Sequence, residues 1–192
     1  MKQAFVFLDI DHPIVAWGAY RGVLVSANAE YQLPQYPVSM MFAGILLHQN
    51  NTRLWNELII EKHRQVHFPR CISRLTGMYF FEDIDTAKRT YGWGGHFSPA
   101  FLAEVEIYST SEIFRYDTNW ITHAPLDPSG RIKNEEWIRN YWSGEQYPGK
   151  APVWELIVQG RAVICGTDLR KRAYENIVKK YPDAVSILEL SR

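Results

Sequence analysis

The sequence predicts an α+β fold in one domain spanning residues 1–192, and three observations carry that expectation. Short runs with the β-branched and aromatic bias of strands (4–10, 77–81, 101–108 and a pair around Glu155 and Val163) are interspersed with helical patterns at 53–65 and 169–181. Clusters of Gly, Pro, Asn and Asp punctuate the chain between them. No internal repeat, heptad or low-complexity tract is present.

Taken in order, residues 4–10 (AFVFLDI) form a first strand, halted by Asp11, His12 and Pro13. The apolar run 14–25 is broken by Gly18 and Gly22, and 26–37, with Asn28, Pro34 and Pro37, reads as loop. Residues 38–47 fit a short helix, although helical and two-residue periods do not separate there. Thr52 is the expected N-cap of an amphipathic helix over 53–65. Leu54, Trp55, Leu58 and Ile59 recur on one side of it, with Glu57, Glu61, Lys62 and Arg64 opposite. Phe68 and Pro69 end that helix. A strand at 77–81 leads to Asp83, which caps a second helix over 84–91, and Gly92, Gly94 and Gly95 form a loop. A strand follows at 101–108; its Glu104 and Glu106 fall only in part on the face opposite Leu102, Val105 and Ile107. Residues 110–134 read as irregular, with a turn at 127–130. A helix over 135–142 stops at Gly144. Two apolar strands, a helix over 169–181 and a closing strand over 185–190 complete the chain.

Composition excludes several classes. Hydrophobic residues at 46% and charged residues at 22% describe a folded chain rather than a disordered one. Lys+Arg and Asp+Glu balance at 21 each, so no global field draws the protein to nucleic acid, although a local basic patch stays open. Seven Trp and eleven Tyr are many, enough to fill a core and to supply flat stacking surfaces. Cys71 and Cys165 lie far apart without metal-ligand spacing, and the six His show no HExxH or HxH pattern, so no metal site is expected. There is no G-x-S-x-G elbow, no G-x-G-x-x-G and no Walker A lysine. Asp9 arrives before a signal-peptide core could form and no run approaches a membrane span, which points to the cytoplasm and away from the bilayer.

One residue stands out against this background. Glu155 sits in PVWELIVQGRAVI, on an otherwise apolar strand. A lone acid there must reach water at a cleft, accept hydrogen bonds or hold its proton more tightly, because an unpaired buried carboxylate is costly. Arg70, Ser73 and Arg74 precede the strand GMYFF. They can hold a phosphate, or pair on the surface with Glu82 or Asp83. On that strand Tyr79 and Phe81 share one face, and Tyr79, with its polar tip, is the ring expected to line a pocket. Asp117, Asn119 and Trp120, and the segment Tyr141-Trp142-Ser143-Gly144, gather further polar and aromatic groups.

These segments resemble a known superfamily. GMYFFEDIDTAKRTYG resembles the middle motif of the ADP-ribosyltransferases, and WELIVQGRAVI their last motif, where the catalytic Glu begins an apolar strand. Residues 68–165 also resemble uncharacterised bacterial and phage proteins of the domain-of-unknown-function 2441 type, through Ser73-Arg74…Tyr79, Tyr116-Asp117-Thr118-Asn119-Trp120 and Tyr141-Trp142-Ser143-Gly144-Glu145. The resemblance implies a split, mixed but mostly antiparallel sheet with flanking helices and a central cleft. It implies mono-ADP-ribosyl transfer from NAD+, with Glu155 catalytic and Arg74, Ser73, Tyr79, Tyr141 and Trp142 holding the dinucleotide. Trp154 is the other ring placed to stack on nicotinamide. The early-strand Arg or His of the first motif has no clean counterpart in His12 or Arg21-Gly22, so Arg74 supplies the guanidinium. Val153 stands two residues before Glu155, where a second acid or amide would favour arginine acceptors. The expected acceptor is therefore RNA or DNA, otherwise protein, in a toxin or defence effector with an antitoxin or other protein partner. Two alternatives stand beside it: a nucleotide-binding or protein-interaction module of the same fold without turnover, and an RNA 2′-phosphotransferase-like reaction.

Overall fold

A computed structural model describes residues 1–27, 38–108 and 110–184. The chain runs β1 (Lys2–Phe7), α1 (Pro13–Arg21), β2 (Val23–Val25), α2 (Met40–Leu47), α3 (Asn51–His67), β3 (Met78–Phe81), α4 (Ile84–Lys88), β4 (Leu102–Ile107), β5 (Glu112–Asp117), α5 (Asn119–Thr122), α6 (Glu136–Trp142), β6 (Trp154–Gln159), β7 (Arg161–Ile164) and α7 (Asp168–Lys180). The apolar run 14–25 thus resolves into a helix begun by Pro13 and a strand, separated by Gly22 at φ 75°. The loop expected at 26–37 falls largely, and the strand expected at 185–190 wholly, outside the described residues.

The seven strands make one sheet in the order β2-β7-β4-β1-β3-β6-β5. Among the described residues all its pairings are antiparallel, where a mixed but mostly antiparallel sheet is expected from sequence. The seam between β1 and β3 is short, with the single register pair Phe5↔Phe81. Alternate residues of a strand face opposite sides, so β3 and β6 feed two cores at once. Phe80, Leu156 and Val158 join Ala4, Val105, Ala162 and Ile164 in an aliphatic core under α1 and α7. Ile157, with Tyr79 packed beside it, faces the other way into a second core with Ile60 of α3, Ile72, Tyr116, Trp120 of α5 and Trp137, Ile138, Tyr141 and Trp142 of α6. On that second face the β2-β7-β4-β1 half is open, with Gln3, Val23, Val25, Glu104 and Glu106 exposed.

Three further sequence expectations need correction. Residues 110–134 are not irregular throughout: 112–117 is the edge strand β5, paired along its length with β6, and 119–122 is a short helix. Helix α3 is capped by Asn50, whose side chain accepts from the Arg53 N–H at 2.9 Å, and not by Thr52. More important, its inward face is the acidic one. Glu57 is 4% exposed and Glu61 7%, flanking Ile60, while Trp55 and Leu58 are 51% and 45% exposed. The charged stripe turns inward because Arg74 beneath the helix pairs with Glu57 and Ser73 donates to Glu61.

Candidate functional site

The chain after α3 is tied down by ion pairs. Arg64 grips Glu61 through Nε (3.0 and 3.1 Å) and Nη2 (2.7 Å), and its Nη1 donates to the Cys71 carbonyl at 2.9 Å. Ser73 Oγ donates to Glu61 Oε2 at 2.8 Å and accepts from the Leu75 N–H. Gly77 then allows β3 to close on β6: a Cβ there would lie 2.5 Å from Ile157 Cγ2 and 3.1 Å from the Ser73 carbonyl.

This places Arg74 at the centre of the second core, 6% exposed. Its Nε donates to Glu57 Oε2 at 3.0 Å and its Nη2 to Glu57 Oε1 at 3.2 Å. Nη1 donates to Glu155 Oε1 (2.9 Å) and to the Tyr141 hydroxyl (2.7 Å), which in turn donates to the same Glu155 oxygen at 2.8 Å. The Tyr79 hydroxyl closes back onto the Arg74 carbonyl, and the guanidinium carbon lies 5.0 Å from the Tyr79 ring centroid and 5.5 Å from that of Tyr141. Four of the five donors a guanidinium offers are engaged. Burial opposes the charge on Arg74, yet Glu57, the two phenols and Glu155 hold it firmly protonated. Burial also pushes the proton affinity of Glu155 up; Arg74 and the Tyr141 hydroxyl oppose that, and the Glu57 charge adds to it. The Tyr141 hydroxyl is held well above its usual range, first by burial, with Arg74 opposing.

Arg74, Tyr79, Tyr141 and Glu155, remote in sequence, therefore meet in one cluster. Ser73 lies beside it but is turned to Glu61. Trp142 is fully buried behind Tyr141, with Nε1 on the Ile60 carbonyl at 3.1 Å and its ring 5.0 Å from that of Tyr141, so it presents no free face. Trp154 is covered by the Arg115 guanidinium at 3.6 Å. In this arrangement Arg74 and Ser73 spend these contacts inward, and a diphosphate could reach them only if the network opened. Arg70 is exposed, while Glu82 pairs with Lys2 and Arg115, and Asp83 caps α4. The Tyr-Asp-Thr-Asn-Trp segment is scaffold. The Asp117 carboxylate accepts from the N–H groups of Asn119, Tyr147 and Val153, and Trp120 Nε1 donates to the Glu145 carbonyl. That fixes the loop leading into β6 and so the start of the Glu155 strand.

Two features escaped the sequence reading. One is Glu57, which the helical pattern sets on the side of α3 opposite its apolar residues. The other is an aromatic group at the β1–β3 seam: Phe7 lies 5.8 Å from Phe81, 5.2 Å from Phe97 and 5.9 Å from Tyr91. Phe81 is the register partner of Glu155, so this group adjoins the cluster on the same face of the sheet. Tyr91 and Trp93 are exposed. His96 packs on Phe97 at 4.1 Å; burial and the charge of Arg53 lower its proton affinity, against Asp9. The charge of Arg53 also acts on Tyr79. The glycine-punctuated sequence from Tyr91 to Phe97 was the one available signal for this group. Among the described residues no group of three or more His, Cys, Asp or Glu is placed to hold a metal ion, and no helix is long and apolar enough to cross a membrane.

Comparison with known families gives a match. Residues 27–177, well over half the chain, match the family described as Protein of unknown function (DUF2441). No curated protein matches the chain. The match spans α2 through most of α7 and includes every residue of the Arg74 cluster, and the chain belongs to that family.

Proposed function

We propose that this member of the DUF2441 family transfers ADP-ribose from NAD+, with Glu155 as the catalytic carboxylate. The observation that carries the reading is the convergence of Arg74, Tyr79, Tyr141 and Glu155 on one face of the sheet, beside the Phe7–Phe81–Phe97 group. Tyr79 and Glu155 come from the motifs that resemble the ADP-ribosyltransferase superfamily, and the short seam between the covered and open halves of the sheet is where a cleft of that superfamily's kind would lie.

In the proposed reaction the bond between ribose C1 and the nicotinamide nitrogen breaks, and its electron pair leaves with nicotinamide. The positive charge left on the ribose is oxocarbenium-like, and a fixed carboxylate within a dry site lowers its energy. Glu155 supplies that charge once ionised. Arg74 and Tyr141 both donate to its Oε1, which fixes its position and favours the ionised form against burial. The exposed rings at the seam supply a stacking surface for a flat heterocycle, and Arg53 at the same rim supplies a cation for the diphosphate. The acceptor then attacks ribose C1 and loses a proton. With Val153 two residues before Glu155, the acceptor favoured is a nucleic acid or nucleotide over protein arginine.

A second reading has its own support. Arg74, Glu57 and Glu155 are almost wholly buried and paired in one network, as in an ionic core that serves structure, with the exposed aromatic rim binding a nucleotide or a protein without turnover. Incubation of the protein with NAD+ labelled in its adenylate half, followed by separation of protein, RNA and DNA, decides between them. Label on the RNA or DNA fraction is the expected result. Label only on protein overturns the acceptor, and unchanged NAD+ overturns transfer.

A further inference from the structure

The buried charges beneath α3 do not balance. One guanidinium, Arg74, lies between two carboxylates, Glu57 and Glu155. The other titratable groups facing Glu155 are the phenols of Tyr79 on β3, Tyr116 on β5 and Tyr141 on α6. Arg64 and Glu61 are paired with each other along α3. Two like charges sharing one cation in a dry site cannot both stay ionised without cost, so the pair tends to take up a proton.

The contacts of the two carboxylates are unequal. Glu57 meets the guanidinium at two points, Nε on one oxygen and Nη2 on the other, a bidentate fork. Glu155 receives both of its donors, Arg74 Nη1 and the Tyr141 hydroxyl, on Oε1, and its Oε2 has no hydrogen-bond partner among the described residues. We propose that Glu57 is a positioning residue: by claiming the Arg74 fork it makes Glu155 the member of the pair that carries the proton, on Oε2. Burial, which raises the proton affinity of Glu155, acts in the same direction.

The inference deepens the proposed function and rests on it for one consequence. Glu155 must lose this proton before it can stabilise a cationic ribose, so turnover rises with pH through the titration of Glu155, and Glu57 sets where that rise falls. Loss of the Glu57 charge would leave Arg74 to Glu155 alone and move the rise to lower pH.

An infrared titration of the protonated carboxyl C=O stretch, without NAD+, tests the charge assignment directly. In the unaltered protein a protonated carboxyl should persist above the ordinary carboxylate range. It should vanish in Glu155→Gln. In Glu57→Gln its midpoint should fall by about one pH unit or more. Glu57→Asp, which withdraws the carboxylate from the fork, should move the midpoint in the same direction by less, and decides the matter if Glu57→Gln does not fold. A protonated carboxyl that survives Glu155→Gln, or a midpoint unmoved by either change at Glu57, overturns the proposal. A purely structural Glu57 would alter melting and leave the midpoint in place. Since no step of the titration uses NAD+, a protein that never consumes NAD+ would refute the proposed function while leaving this result standing, and the converse holds equally.

Discussion

The two cores of this protein share strands β3 and β6 yet are built on opposite principles. Beneath α1 and α7 the buried residues are aliphatic or aromatic hydrocarbon, and adjacent strands interlock with Ala16, Ala19, Leu169, Ala173 and Ile177. Beneath α3 and α6 the sheet meets Arg74, Glu57, Glu61 and Glu155 among Tyr and Trp rings. On β6 the change takes one residue: Leu156 faces the first core and Glu155 the second. Area removed from water stabilises the first directly, at about 25 cal/mol per Å². In the second, desolvating ions is costly, and close pairing mainly recovers that cost. A buried ionic core is therefore weak evidence for stability.

The largest expected effect on stability breaks the second core at its centre. Arg74→Ala strands two buried carboxylates and should cost about 3–5 kcal/mol. This loss should depend on pH. The proton affinity of Glu155 is raised in the folded protein, so its burial favours folding at acid pH, and that contribution is lost as pH rises through the raised value. Without Arg74, which opposes the shift, the affinity climbs further, so the deficit of Arg74→Ala should shrink on acidification. Denaturant titrations of both proteins at several pH values check this, and an equal deficit at all pH values would contradict it.

Leu156→Ala provides the contrast in the first core. It should cost about 2–5 kcal/mol through lost burial and a cavity, with no comparable pH dependence. A smaller effect is expected where the cores touch the shared strands. Gly77→Ala forces a Cβ against Ile157 and should cost about 1–3 kcal/mol. Because the same glycine admits the chain that carries Arg74, this change should also shift the infrared titration of Glu155, which a purely hydrophobic defect such as Leu156→Ala should not do.

The contrast between the cores also explains what sequence could reveal. Aliphatic strands and helix α7 follow hydrophobic period, and β6 with its lone Glu155 was conspicuous because a charge interrupts an apolar run. Face alternation put Tyr79 and Phe81 on one side of β3, but only the register of β3 on β6 shows that this is the side of Glu155. Helix α3 failed for the complementary reason: hydrophobic period assigns Trp55 and Leu58 inward, but Glu57 is drawn in by Arg74 and Glu61 by Ser73, partners whose approach depends on tertiary structure. Glu57, Ile60 and Glu61 do lie on one stripe at helical spacing, which is the signal that could have been read. Strand β5 was missed because it is an edge strand with Glu112 and Arg115 exposed, set in polar flanks. The aromatic seam joins β1, β3 and the loop after α4, a juxtaposition created by strand order, which local pattern does not encode.

The central claim, that Glu155 is a catalytic carboxylate acting on NAD+, is tested most directly by nicotinamide release from NAD+ with the unaltered protein and with Glu155→Gln, each shown to be folded by its thermal transition. Removing a transition-state charge should lower the rate by about a hundredfold or more while NAD+ binding persists. Equal rates from the two proteins, or no release from either, would contradict it.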